Sequence, residues 1–115
     1  MKIREISQLL DAKLYTGEEM LEREVHNGFG CDLMSDVLAY AENEAVLLTG
    51  LVNPQVIRTA EMMDIVCLVF VRGKEPTEAM IKLAEERSIV LMSTEKGMCT
   101  ACGLLYDAGL KCGDE

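Results

Sequence analysis

Ile65-Val66-Cys67-Leu68-Val69-Phe70-Val71 is an unbroken apolar run, closed by Arg72-Gly73-Lys74-Glu75 and followed by Pro76. A strand with no polar alternation needs cover on both faces, which is the pattern of a central strand in a largely parallel sheet with helices on each side. Proline at a first helical position loses no hydrogen bond, so Pro76 is read as opening the next helix. There Pro76, Ala79, Met80, Leu83 and Ala84 recur at helical spacing, with Lys82, Glu85, Glu86 and Arg87 towards solvent. Ile89-Val90-Leu91-Met92 forms the next strand, and Ser93 to Gly97 leads into a last helix. Strand, helix and strand joined by short loops make a parallel crossover.

Outward from this unit the alternation continues. Ala45-Val46-Leu47-Leu48 is a strand ending at Thr49-Gly50. Asn53-Pro54 is an N-cap followed by proline, and starts a helix to about Met63 with Val56, Ile57, Ala60 and Met63 on one stripe. Asp32 or Ser35 caps a helix over 33–42, with Leu33, Val37, Leu38 and Ala41 inward. The last helix runs from Gly97 or Met98 to about Ala108, and Gly109 is its C′ residue. Residues 3–11 form a short amphipathic helix, Lys13-Leu14-Tyr15 is strand-like, and Glu24 to Gly30 is a strand or strand edge leading to a turn. The expectation is one domain over 1–115, an α/β three-layer sandwich with a mostly parallel sheet. Residues 1–30 add a less regular edge, and 110–115 form a polar tail.

Composition excludes several classes. At net charge −9 the chain has no basic stripe for nucleic acid. Its apolar runs fall well short of the roughly 20 residues that span a bilayer. The N-terminus lacks the apolar core of a signal peptide, so a cytoplasmic protein is expected. Five cysteines and one histidine carry neither a disulfide-scaffold spacing nor a paired-histidine zinc pattern, which favours reduced thiols. With no tryptophan, two phenylalanines and eight methionines, the core is aliphatic and methionine-filled, and some methionines are available for a subunit interface.

In an open parallel sheet, ligands gather beyond the carboxyl ends of the strands. Those ends carry Gly30-Cys31-Asp32, Thr49-Gly50, Arg72-Gly73-Lys74 and Ser93-Thr94-Glu95-Lys96-Gly97. Thr49, Gly50, Arg72, Gly73, Lys74, Thr94 and Lys96 are therefore candidate ligand residues for a small anion or phosphate, with backbone N–H groups from Gly73 and the last helix as added donors. The plainer alternative is ordinary turns and caps. Cys99-Thr100-Ala101-Cys102 is a C-x-x-C at a helix start near Lys96, a candidate redox dithiol or, with Cys112, an iron or zinc site. Against it, Met98, Cys99, Cys102, Leu105 and Tyr106 make one apolar stripe that would bury both thiols, and the motif lies on the last helix. His26 has no triad partner, and Asp32, Asp36, Glu18 and Glu19 are explained as caps or solvated charges.

The runs Leu47-Leu48-Thr49-Gly50, Phe70 to Pro76, and Ile89 to Thr94 with Met98 to Ala101, together with the helix capped by Asn53, resemble the DRTGG domain. That domain is similar in fold to the N-terminal domain of HPr kinase/phosphorylase. Where the family often carries Asp-Arg after the glycine of the earlier strand, this chain has Leu51-Val52. Where it carries Thr-Gly-Gly, this chain has Val71-Arg72-Gly73, and Gly73 and Pro76 carry over. The resemblance implies a non-catalytic regulatory or interaction domain without a cofactor. Relatives sit beside CBS-domain pairs in regulated pyrophosphatases and commonly form dimers. The first reading is a homodimer sensing a small anionic metabolite or nucleotide, or meeting another regulatory protein. The alternatives are a thiol-based redox or metal-binding protein using Cys99 and Cys102, and a small enzyme built on the strand-end loops.

Overall fold

The computed structural model describes residues 1–112. In chain order the elements are α1 (Ile3–Leu9), β1 (Lys13–Thr16), a 3-10 turn (Glu18–Met20), β2 (Asn27–Gly30), α2 (Met34–Tyr40), β3 (Ala45–Thr49), α3 (Pro54–Met62), β4 (Cys67–Phe70), α4 (Glu78–Arg87), β5 (Val90–Ser93), α5 (Met98–Asp107) and β6 (Lys111–Cys112). They build one sheet in the order β1-β5-β4-β3-β2-β6. β1 runs antiparallel to β5, and every other pairing is parallel.

The period of two along the buried strands divides the core between the faces. Val46, Leu48, Cys67, Val69, Val90 and Met92 point to one side, under Ile3 and Ile6 of α1 and Ala101 and Leu105 of α5. Ala45, Leu47, Leu68, Phe70 and Leu91 point to the other, under Met34 and Val37 of α2, Val56, Ile57 and Ala60 of α3, and Met80 and Ala84 of α4. The three-layer arrangement and the mostly parallel sheet are as the sequence predicts. Asn53 caps α3 as expected, its Oδ1 accepting the Gln55 N–H at 2.8 Å, with Pro54 in the first turn. Gly109 follows α5 at φ +106°, the left-handed conformation expected of it. No helix among the described residues is long and apolar enough to cross a membrane.

The first 30 residues are more regular than expected. α1 covers one face, β1 closes one side of the sheet, and β2 lies inside it between β3 and β6. Both strands are only four residues long, and β2 carries two glycines. Gly28 and Gly30 leave room for α5 and its exit: a Cβ at Gly30 would come within 2.6 Å of Cys102 Sγ, and one at Gly28 within 2.9 Å of Leu110 Cδ2. Where β1 bulges between Leu14 and Thr16, the Thr16 hydroxyl stands in for the ladder, donating to the Ile89 carbonyl at 2.7 Å and accepting the Leu91 N–H at 3.0 Å. The expected polar tail begins differently too, because Leu110 is buried and Lys111–Cys112 pair with β2. Residues 113–115 lie outside the described ones.

Three helices start or face differently from the prediction. Pro76 precedes α4 instead of opening it: Thr77 is the cap, its hydroxyl accepting the Met80 N–H at 3.2 Å, and Ala79 is exposed. Neither Asp32 nor Ser35 caps α2, whose N-cap is Leu33. Met34 and Val37 face inward, while Leu33 and Leu38 are exposed. On α5, Ala101 and Leu105 are the buried pair, Met98 and Cys102 pack beside them, and Cys99 and Tyr106 are exposed. The apolar stripe therefore half-buries one thiol of the C-x-x-C, Cys102, and leaves the other, Cys99, in solvent.

Burial sets an order of thiol reactivity. Cys67 is completely buried in β4, which pushes its thiol up to about 12. Alkylation of the native protein followed by mass spectrometry is expected to modify Cys99 first and the half-buried Cys31 and Cys102 more slowly. Cys67 is expected to react only on unfolding. Equal labelling of Cys99 and Cys67 would contradict this packing.

Candidate functional site

Because β2, β3, β4 and β5 are parallel neighbours, their carboxyl ends share one edge of the sheet. Backbone hydrogen bonds tie the exits together. The Arg72 N–H donates to the Lys96 carbonyl and the Gly73 N–H to the Thr94 carbonyl, both at 2.8 Å. Arg72 and Gly73 both have positive φ, +59° and +69°, and the Lys74 N–H closes the turn onto the Val71 carbonyl at 3.3 Å. For arginine the left-handed conformation costs about 1–2 kcal/mol, a strain that Asp11, Glu44, Asp64 and Ser88 also carry in other turns.

Arg72 is aimed back along the edge. Its Nη2 lies 3.5 Å from Oδ2 of Asp32, at the exit of β2. Oδ1 of the same carboxylate accepts the Gly50 N–H at 2.6 Å and the Thr49 hydroxyl at 3.1 Å. The Thr49 oxygen in turn accepts the Leu51 N–H at 3.1 Å. Three strand exits thus meet at one carboxylate. The Arg72 guanidinium lies over the Cα of Gly50, where a Cβ would have to displace it. The Gly50 N–H holds the Asp32 carboxyl below its usual range, helped by the Thr49 hydroxyl and the Arg72 and Lys74 charges, against a smaller upward push from burial.

The candidate residues fall into two sets. Thr49, Gly50 and Arg72 converge on Asp32, and Lys74 and Lys96 flank them on the adjoining turns. The Gly73 N–H and the Thr94 hydroxyl are already used inside the protein. The hydroxyl is buried, donates to the Leu10 carbonyl at 2.6 Å and accepts the Lys96 N–H at 3.2 Å. These two groups lock the turns that carry the cations. Glu95 also enters: its carboxylate lies against Gly73, where a Cβ would come within 2.5 Å of Oε2.

Asp32 is the residue that sequence reasoning misplaced. Its position just past Gly30 was the available signal, but helix capping offered a ready explanation. A second cluster on the same edge was missed because β1 pairs antiparallel and brings its start to the end of β5. There the Tyr15 hydroxyl lies 2.9 Å from Glu75 Oε1 and 3.1 Å from Ser93 Oγ, and Lys13 Nζ lies 3.7 Å from Glu75 Oε1. His26 stands away from this edge, 3.3 Å from Glu44 at the start of β3. Among the described residues, no three His, Cys, Asp or Glu side chains are grouped so as to hold a metal ion.

The profile of the DRTGG domain matches residues 5–108. The chain belongs to the DRTGG domain family. The fold is also that of a solved structure of the CBS and DRTGG domains from the regulatory region of Clostridium perfringens pyrophosphatase, complexed with the activator diadenosine tetraphosphate. The two superpose with a TM-score of 0.75 at 18% identity, over 90% of this chain and 45% of the other, so the DRTGG chain spans under half of that regulatory region. No curated protein sequence matches it.

Linkage gives the Asp32 network a pH signature. A carboxyl whose folded pKa is lowered adds stability above its unfolded pKa of about 4, and that stability is lost as pH falls through the folded value. Asp32→Asn keeps an acceptor for Gly50 but loses the charge. Denaturant unfolding is expected to show the variant less stable than wild type at pH 6, with the gap closing below about pH 4. A gap constant with pH would mean that the charge of Asp32 does not contribute.

Proposed function

We propose that residues 1–115 form a single regulatory DRTGG domain, non-catalytic, cytoplasmic and homodimeric, that binds a small anionic metabolite or nucleotide at the strand-exit edge. The observation that carries this reading is the Arg72 N–H bonded to the Lys96 carbonyl at 2.8 Å, which fixes two cation-bearing turns side by side. Lys74 adds a third charge, and α5 begins beside them with no side chain on its first N–H groups. Three cations gather at one edge of a chain of net charge −9, with the Asp32 and Glu95 carboxylates among them, and the cations suit phosphate or carboxylate. Regulation by a nucleotide is consistent with the pyrophosphatase, whose regulatory region was solved with a dinucleotide activator. Free thiols at Cys31, Cys67 and Cys99 suit a reducing compartment. The thiol-based alternative rests on the exposure of Cys99. It is the weaker reading because Cys102 Sγ packs against the Cα of Gly30 inside the fold.

The test of the site is calorimetric titration with inorganic pyrophosphate. Arg72→Ala with Lys96→Ala is expected to weaken binding at least tenfold, about 1.4 kcal/mol, while the domain stays folded. Binding is expected to weaken as salt rises, since exposed charges are screened beyond about 8 Å at physiological ionic strength. Pyrophosphate binding indifferent to the double change would rule out this edge, and a pure protein-interaction module would then be the better reading.

The dimer is supported by apolar side chains left in solvent on neighbouring helices. On α2 and its cap these are Leu33, Leu38 and Tyr40, 58%, 42% and 70% exposed, and on α3 it is Met62 at 71%. Buried Met34, Met80 and Met92 fill the core, so Met62 is the methionine available for a partner. Light scattering in the micromolar range is expected to give a dimer for wild type and a monomer for Leu38→Glu with Met62→Glu. A monomeric wild type would remove the claim.

A further inference from the structure

We propose that Asp32 selects the ligand: the edge takes a phosphate-bearing molecule that also carries neighbouring hydroxyl groups, as a ribonucleotide does, in preference to a bare anion. This rests on the anion site proposed above and adds what distinguishes one anion from another. A site built only to attract phosphate would not hold a carboxylate among its cations, because like charges repel. Here the carboxylate is built in. Oδ1 is fixed by the Gly50 N–H at 2.6 Å and the Thr49 hydroxyl at 3.1 Å, so the group cannot swing away without leaving a backbone donor unpaired. Oδ2 has only a loose contact with Arg72 at 3.5 Å, and the side chain is 53% exposed. An ionised carboxylate accepts through both oxygens, so Oδ2 can take hydrogen bonds from hydroxyl donors.

The spacing fits one molecule lying along the edge. Asp32 follows β2 and Lys96 follows β5, three strand intervals apart, or roughly 14 Å. Arg72 reaches from β4 across Gly50 towards Asp32 and covers the space between. A ligand with hydroxyls at Asp32 and phosphates towards Arg72, Lys74, Lys96 and the start of α5 meets a partner at each end. The same division of labour, an acidic side chain on ribose hydroxyls and a helix N-terminus on pyrophosphate, operates in other open parallel sheets. The negative charge of Asp32 then acts with two signs. It hydrogen-bonds the hydroxyls of the right ligand and repels an anion that has none.

The test is calorimetric titration of the full chain with ADP, 2′,3′-dideoxy-ADP and inorganic pyrophosphate at one ionic strength. Wild type is expected to bind ADP about tenfold tighter than the dideoxy form, the scale of a hydrogen bond to a charged group. In Asp32→Asn that preference is expected to disappear, with ADP weakened about tenfold and pyrophosphate bound as tightly as before or several-fold tighter. The wild-type comparison of the two nucleotides needs no variant and stands even if the substitution harms folding. Pyrophosphate binding with no preference between ADP and its dideoxy form overturns the selection by Asp32 while leaving the anion site intact. Equal loss of ADP and pyrophosphate in Asp32→Asn overturns it too, reducing Asp32 to a residue that positions Arg72. Failure of wild type to bind any of the three overturns the anion site and this inference together.

Discussion

Residues 65–71 can leave water only if helices cover the sheet on both sides, and that requirement organises the molecule. Every side chain from Ile65 to Val71 is buried, and from Cys67 to Val71 successive ones belong to opposite cores. Fully burying one such side chain is worth about 1.5–3 kcal/mol, so leaving either face of the strand open would forfeit several residues at once. β3 and β5 flank β4 and are equally buried, which makes the three strands a dry slab under α1 and α5 on one side and α2, α3 and α4 on the other. The parallel direction follows, since the helices that cover one face are the connections between these strands.

The same constraint makes the edge proposed to bind a ligand. Parallel strands end together, and the backbone groups just past their ends need partners that the ladder no longer supplies. In this chain the exits supply them to one another: Arg72 and Gly73 donate to the turn after β5, and Asp32 accepts from the turn after β3. Cation-bearing turns are thereby held as firmly as the sheet itself. A ligand meeting them loses little freedom in ordering the site, which is the physical advantage of building it on strand ends.

What could be read in the sequence follows from where single-residue preferences meet no competition. The strands around Leu47, Val69 and Leu91 are apolar on both faces and admit no other reading. Asn53-Pro54 has a cap and a proline in agreement, and the helix starts there. Pro76 is read from the sequence as opening α4, but Thr77, whose hydroxyl accepts the Met80 N–H, is the cap. Asp32 had the local chemistry of a cap, but a backbone N–H from 18 residues away took its oxygen, and α2 turned so that Met34 instead of Leu33 faces the core. The stripe read from the sequence would bury both Cys99 and Cys102, but the helix packs with Cys102 against Gly30 and Cys99 in solvent. At Asp32 and on α5 a partner distant in sequence outweighed the local preference, and no reading of neighbouring residues could have weighed it, whereas at Pro76 the deciding bond was local. The seven candidate ligand positions were chosen from strand ends alone. Thr49, Gly50 and Arg72 do meet, at Asp32, but that rule had no means of seeing that the Gly73 N–H and the Thr94 hydroxyl were already bonded.

The departure from the family's usual pattern has a spatial counterpart. Where an Asp-Arg pair often follows the glycine of the earlier strand, Leu51-Val52 follow Gly50, and both are half-buried against the α2–α4 face. An aspartate and an arginine meet at Gly50 nonetheless, Asp32 from the exit of β2 and Arg72 from that of β4. Arriving from two different strands, they can part without disturbing the turn between them. Each is anchored at its root, Asp32 through Oδ1 and Arg72 through its backbone N–H, while their mutual contact of 3.5 Å is the loosest in the network. An exposed ion pair of that kind is worth at most about 1 kcal/mol, whereas removing the partner of a buried backbone donor costs about 1–3 kcal/mol. The network therefore yields first between the two charges and last at the backbone. An incoming ligand could part Asp32 from Arg72 at small cost while the turns that present them stay in place.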